Sequence, residues 1–270
     1  RSFQSNMPCN WVAKRQSFVL FGDSITQRGF DPSEDGWAAK LANRYTRRAD
    51  IINRGYSGYN TRWAQYVLPH ALPGNWTRPS LVTIFFGAND ASLPNVNPTQ
   101  HVPIDEYATN LTSIIEYVGT TYDSTRIVLI TPPPIHEDQR RAHQQNKHGD
   151  DATGVLERTD ESAREYAEKC QAVGEAHGIP VLNLWQVMHD EASRRGVGVD
   201  SFLCDGLHFS PDGNTLAYEK LVHLIEKEFP ELAHQAMPLD FPLVEDINWE
   251  DPGETFASAN KRAEKRGMCW

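Results

Sequence analysis

The sequence predicts an α/β protein: a three-layer α/β/α, flavodoxin-like, doubly wound fold around a five-stranded parallel sheet. Three observations carry this. Short runs rich in β-branched and aromatic residues recur along the chain, they are nearly continuous in apolarity, and segments of helical periodicity lie between them. Unbroken apolarity is what a parallel strand covered on both faces requires, and strict alternation of strand and helix builds such a sheet through right-handed crossovers. The expected strand order is 2-1-3-4-5.

The elements follow in chain order. Residues 1–16 form an N-terminal extension ahead of the first strand, which spans 17–21. Trp37, Leu41 and Tyr45 then recur at helical spacing. Strands are expected at 50–53 and 81–86, followed by a looser helical pattern through Ile104, Leu111, Ile115 and Val118, and by a fourth strand at 127–131. Residues 132–158 are polar, open on prolines and carry histidines, so they read as a loop insertion of the lid, binding-loop or mobile kind. Asp160 can cap a helix running to about His177, with Gly178 as its stop, and the fifth strand follows at 181–184. Ser210-Pro211 is a cap with proline at the first helical position, opening a helix to about Phe229. The domain thus covers 17–230. Residues 231–270 form a C-terminal extension whose Phe241, Leu243, Ile247, Trp249 and Trp270 suggest packing on the domain or on a second subunit, and a homodimer is the expected assembly.

Composition narrows the partners. A chain of 270 residues can bury a sizeable core as one α/β domain with insertions. Its net charge of −10 repels phosphodiester backbones and anionic bilayers, which excludes nucleic acid and membrane surfaces as expected partners. Cys9, Cys170, Cys204 and Cys269 are scattered without a C-x-x-C pair, as suits reduced thiols. With no apolar run of signal or spanning length, the expected location is cytoplasmic.

Four turn motifs stand at the expected carboxyl ends of strands, where open α/β sheets bind ligands. Gly22-Asp23-Ser24 follows the first strand and places a hydroxyl there. Asn53-Arg54-Gly55-Tyr56-Ser57-Gly58 follows the second, where glycine lets a backbone N–H approach a substrate. Gly87-Ala88-Asn89-Asp90 follows the third and offers a carboxamide donor. Asp205-Gly206-Leu207-His208 puts a carboxylate and an imidazole on one side of a tight turn, so that Asp205 can hold Nδ1–H while Nε2 faces Ser24. Each motif alone also reads as a turn or a helix cap. Together they describe acyl transfer.

Other chemistries fit less well. The G-x-S-x-G elbow is absent, because Thr26 stands where its second glycine belongs. His136, His143 and His148 beside Asp150 and Asp151 match no zinc spacing and read as a solvated loop, so no metal is expected. Trp63, Pro133, Ile135, Leu203 and Leu207 are apolar and near strand ends, the expected walls for a short acyl group and a small alcohol.

These blocks, in order from about Phe18 to about Phe229, resemble the SGNH/GDSL hydrolase superfamily. Gly22-Asp23-Ser24, Gly58, Gly87-x-Asn89-Asp90 and Asp205-x-x-His208 match its motifs, and the stretches 54–63, 87–91 and 204–209 look closest to the isoamyl acetate-hydrolysing esterase group. The resemblance implies Ser24 as nucleophile, His208 as base and Asp205 as its orienter. It also implies the Ser24 amide, the Gly58 amide and the Asn89 side chain as oxyanion donors, no cofactor, and a small-molecule ester as substrate. Carbohydrate O-acetyl esters, thioesters and lysophospholipids remain alternative substrates, and a flavodoxin-like binding module is the non-enzymatic alternative.

Overall fold

The computed structural model describes residues 11, 12, 14–149 and 154–256. Strands β1 (Gln16–Gly22), β2 (Ala49–Gly55), β3 (Leu81–Phe85), β4 (Arg126–Ile130) and β5 (Val181–Leu182) form one parallel sheet in the order 2-1-3-4-5, as expected. Side chains alternate across it with the period of two that a strand imposes. Phe18 and Leu20 enter one core with Leu81 and Phe85, whereas Val19 and Phe21 enter the other with Val82 and Ile84. Helices α2 (Trp37–Arg44), α7 (Leu184–Arg195) and α8 (Pro211–Glu228) cover the first face. Helices α3 (Thr61–Ala71), α4 (Ile104–Thr121) and α6 (Asp160–His177) cover the second, which completes the three layers. The interior strand β1 is buried from Phe18 onward because both faces are covered.

Helix boundaries follow local chemistry. Ser210 caps α8 with Pro211 behind it, and Gly178 ends α6 at φ +63°, both as the sequence predicts. The cap of α6 is Thr159 rather than Asp160: its hydroxyl accepts from Ser162 N at 3.1 Å. Asp160 opens the helix instead, and its carboxylate is turned to Ile135 N and Trp185 Nε1, each at 3.0 Å.

Two further expectations are corrected. The fifth strand is two residues long, and Asn183 ends it by capping α7, accepting from Gln186 N at 3.0 Å. Helix α7 itself, with Leu184, Met188 and Ala192 as its buried stripe and Gly196 as its left-handed stop, was legible in spacing but masked by the apolar run that precedes it. Residues 132–158 are also more than a loop, since they contain α5 (Glu137–His148). That helix is so polar that apolar periodicity could not reveal it, and polar contacts dock it. His136 caps it, accepting from Gln139 N at 3.4 Å; Asp150, Asp151 and the side chain of His148 lie outside the described residues.

Toward the C-terminus, Leu239–Asp240 pairs in parallel with Trp11–Val12. The Asp240 carboxylate accepts from Arg15 Nε at 3.0 Å and Arg47 Nε at 3.1 Å, so this part of the extension packs on its own domain. Cys170 and Cys204 are both free thiols; Cys9, Cys269 and Trp270 lie outside the described residues. Among the described residues, no helix is long and apolar enough to cross a membrane.

Candidate active site

The sheet register brings three turns to one level. Gly22 pairs with Gly55 on one side and with Phe85 on the other, so the chain leaves β1, β2 and β3 side by side. Gly22 is required by close approach: a Cβ there would lie 2.6 Å from Phe85 O and 2.2 Å from Thr26 Oγ1. Directly after it, Asp23 Oδ1 accepts from Ile25 N at 2.9 Å and closes the short helix α1 (Ser24–Gln27). Ser24 is the first residue of that helix.

Across the edge, the segment before α8 forms a tight turn. Asp205 Oδ1 accepts from Leu207 N at 3.0 Å and His208 N at 2.8 Å, an Asx turn that holds the carboxylate rigidly. Its other oxygen, Oδ2, meets His208 Nδ1 at 2.8 Å, and His208 Nε2 meets Ser24 Oγ at 2.8 Å. With Nδ1 protonated and donating to the carboxylate, the Nε2 lone pair is left to accept the Ser24 hydroxyl. Gly206 sits at φ +80°, and a Cβ there would lie 2.5 Å from both His136 O and Arg140 N, so α5 can dock on the turn only because this residue is glycine. That docking is anchored where His136 N donates to Gly206 O at 3.1 Å.

Electrostatics set protonation states to match. Burial works to raise the Asp205 pKa, but the hydrogen bond and charge of His208, together with Arg140, outweigh it and hold the carboxyl well below the usual carboxylate range. For His208, burial lowers the pKa more than the bond and charge of Asp205 raise it, so the imidazole lies below its ordinary value. Burial pushes Asp23 and Asp90 up to about 7 each. Both serve turns rather than a reacting atom, since Asp90 Oδ1 accepts from Thr61 N at 2.9 Å and from the Thr61 hydroxyl.

Gly58 and Asn89 are brought together by Gln100, whose Nε2 donates to Gly58 O at 2.9 Å and to Asn89 Oδ1 at 3.2 Å. The Asn89 Nδ2 donates one hydrogen to Tyr59 O at 2.8 Å, which leaves its second. Gln100 was not among the residues singled out from the sequence. Nor were Arg158, Glu157 and Arg140, whose charges in a polar stretch read as solvated; Arg158 is only 4% exposed.

Of the expected substrate walls, Ile135, Leu203 and Leu207 are buried members of the core on the α8 side of the sheet. Leu203 and Phe209 form a bridge, and Phe209 reaches Phe85 at 6.3 Å between ring centroids. Pro133 is buried as well. Trp63 remains half-buried on α3, set edge-on to Tyr59 at 5.9 Å. His143, from the expected solvated loop, approaches Asp205 Oδ2 with its Nε2 at 3.9 Å.

A model of the GDSL-like lipase/acylhydrolase family matches residues 20–216, a span that contains Ser24, Gly58, Asn89, Asp205 and His208. The chain belongs to that family. Among GDSL-family relatives it is 42% identical over 235 residues to the isoamyl acetate-hydrolyzing esterase 1 homolog of Homo sapiens, covering 85% of this chain and 87% of the relative. A GDSL esterase/lipase of Arabidopsis thaliana is 39% identical over 244 residues, 90% of this chain and 98% of its own. The solved lipase/acylhydrolase from Enterococcus faecalis superposes with a TM-score of 0.60 at 29% identity, over 79% of this chain and 96% of that one. An acetylxylan esterase from Geobacillus stearothermophilus, at 17% identity and TM-score 0.60 over 79% and 95% of the two chains, shares the fold. The resemblance read from the four motifs is therefore family membership, and the GDSL family is one of ester hydrolases.

Proposed function

We propose that this protein is a serine esterase that hydrolyses short-chain carboxylic esters, acetate esters of small alcohols in particular, through an acyl-Ser24 intermediate. The observation that carries the reading is the unbroken hydrogen-bonded relay from Ser24 through His208 to Asp205, with 2.8 Å at each link. In the first half-reaction Ser24 Oγ attacks the ester carbonyl carbon as its proton passes to His208 Nε2, and the carbonyl π pair moves onto oxygen. The Ser24 and Gly58 amides and the free Asn89 N–H stabilise that oxyanion. As the C–O bond to the alcohol breaks, the imidazolium returns its proton to the departing oxygen, leaving acyl-Ser24. Water then enters, gives its proton to His208, and releases the carboxylic acid by the same steps in reverse order.

The acetate preference is supported by the names of the isoamyl acetate-hydrolyzing relatives. The free Cys170 and Cys204 support a reducing, cytoplasmic setting. The test is a panel of alkyl acetates, longer-chain alkyl esters, acetylated sugars, acyl thioesters and lysophospholipids, with Ser24→Ala as blank. Acetates of short alcohols should show the highest kcat/KM; a higher value for acetylated sugars or thioesters overturns the substrate assignment.

The pH profile tests the base. His208 must be neutral to accept the proton, and its pKa is lowered from 6.5, so kcat/KM should fall on acidification with a single-proton limb whose midpoint lies below 6.5. A profile flat from mildly acidic to neutral pH would remove His208 from the role, whereas a limb centred above 6.5 would mean that Asp205 outweighs burial at the imidazole.

A further inference from the structure

Resting on the reading of Asn89 and Gly58 as oxyanion donors, we propose that Arg158, acting with Gln100, is the positioning residue that fixes which way the Asn89 amide points. A carboxamide can be turned end for end, and only one orientation offers an N–H to a substrate. Asn89 Oδ1 is met by Arg158 Nη2 at 3.0 Å and Gln100 Nε2 at 3.2 Å. An arginine carries donors and no acceptor, so the atom facing it must be oxygen. The Nδ2 group is thereby sent the other way, where Tyr59 O takes one of its two hydrogens at 2.8 Å.

Gln100 faces the same ambiguity and has the same answer. Its Oε1 accepts from Arg158 Nη2 at 2.8 Å and Asn97 Nδ2 at 2.7 Å, which turns its Nε2 toward Gly58 O and Asn89 Oδ1. One guanidinium nitrogen therefore orients two amides, and through them holds together the turns after β2 and β3.

Arg158 is in turn immobilised. Its Nε donates to Ala88 O at 2.8 Å and its Nη1 to Glu157 Oε1 at 2.8 Å. Glu157 also accepts from Arg140 Nε at 2.6 Å, and Arg140 Nη1 reaches Asp205 Oδ2 at 3.5 Å. A chain of buried and partly buried charges thus runs from the Asn89 amide to the carboxylate behind His208. The positive charge behind Asn89 Oδ1 polarises the amide toward a stronger N–H donor, an effect of value when the substrate oxygen becomes negative.

A purely structural staple predicts lost stability with kcat intact in the folded fraction; a positioning role predicts lower kcat with KM unchanged. Removing Arg158 leaves Glu157 short of a buried partner and can unfold the chain. Half-buried Gln100→Leu is therefore measured beside Arg158→Met and Arg158→Lys, each checked by thermal melting, with p-nitrophenyl acetate as substrate and a fluorophosphonate to titrate Ser24. Loss of a whole oxyanion donor costs roughly 10² to 10³ in kcat, so a misdirected Asn89 should cost about 10- to 100-fold, with KM within about twofold. Lysine, whose one nitrogen can donate to both amides but cannot also reach Ala88 O and Glu157 as the fork does, should retain more of the rate than methionine. In an Asn89→Ala background, Gln100→Leu should slow kcat by less than it does in the wild type, because the amide it orients is gone and only its bond to Gly58 O is left to lose. A kcat within twofold of wild type for folded Gln100→Leu, or losses that multiply in full in the double variant, would overturn the proposal. Failure of the wild type to react with the fluorophosphonate would instead sink the serine-esterase reading beneath it.

Discussion

Ser24→Ala is expected to lower kcat by roughly 10⁶, to the residual level that binding and oxyanion donors alone sustain, about 10³ to 10⁴ over water. The size follows from covalency: without Oγ there is no acyl-enzyme, and His208 retains only the weaker option of activating water directly. The fold should not notice. Ser24 is 7% exposed, its hydroxyl is bonded to His208, and the cap of α1 is made by Asp23 Oδ1 and is untouched. Melting at the wild-type temperature, no burst of alcohol on mixing with ester, and no fluorophosphonate adduct are the outcomes to look for. A folded Ser24→Ala protein keeping more than about a hundredth of the activity would mean another nucleophile does the work.

The second large effect is expected at Asp205. Asp205→Asn should cost roughly 10⁴ in kcat, the magnitude known for the equivalent change in serine proteases. Geometry explains why so isosteric a change is so harmful. Leu207 N and His208 N both donate to Oδ1, at 3.0 and 2.8 Å, so in the variant the amide oxygen must stay there. The new NH₂ then occupies the place of Oδ2 and faces His208 Nδ1, 2.8 Å away in the wild type. Two donors cannot face each other, so the imidazole adopts the tautomer with its hydrogen on Nε2, the atom that must accept from Ser24. Arg140 loses its carboxylate contact at the same position. Steady-state kinetics on the folded variant decide the matter, and a loss below about tenfold would show that Asp205 does not select the tautomer.

Much of the fold was legible because its determinants are local. The apolar runs at 17–21 and 81–86 alternate between two cores with the period of a strand, and Ser210-Pro211 and Gly178 punctuate their helices through the chemistry of cap and stop. Helix α5 was hidden because its stability comes from contacts such as those of Gln139 Nε2 with Asp200 O and Leu203 O, each at 3.2 Å, and not from an apolar face. Helix α7 was hidden because Leu184 reads as the end of the strand when it is the start of the helix's buried stripe. The substrate walls are less legible for a related reason. An apolar residue beside a motif can face the core or a ligand, and spacing does not distinguish the two; Ile135, Leu203 and Leu207 are buried in the core cluster on the α8 side.

What the sequence determined by itself is the family of ester hydrolases and the short motifs on which the proposed chemistry rests. Ser24, Asn89 and the Asp205–His208 pair each stand in a short motif whose geometry is a property of a few consecutive residues. What only the tertiary structure decided is how those motifs are set against one another: His208 on Ser24 across 184 residues, and the orientation of Asn89 by Arg158 across 69. Spacing encodes contacts made within a turn, but an arginine drawn from a polar stretch into the interior is placed by the packing of distant elements, and by the need of each buried donor for an acceptor.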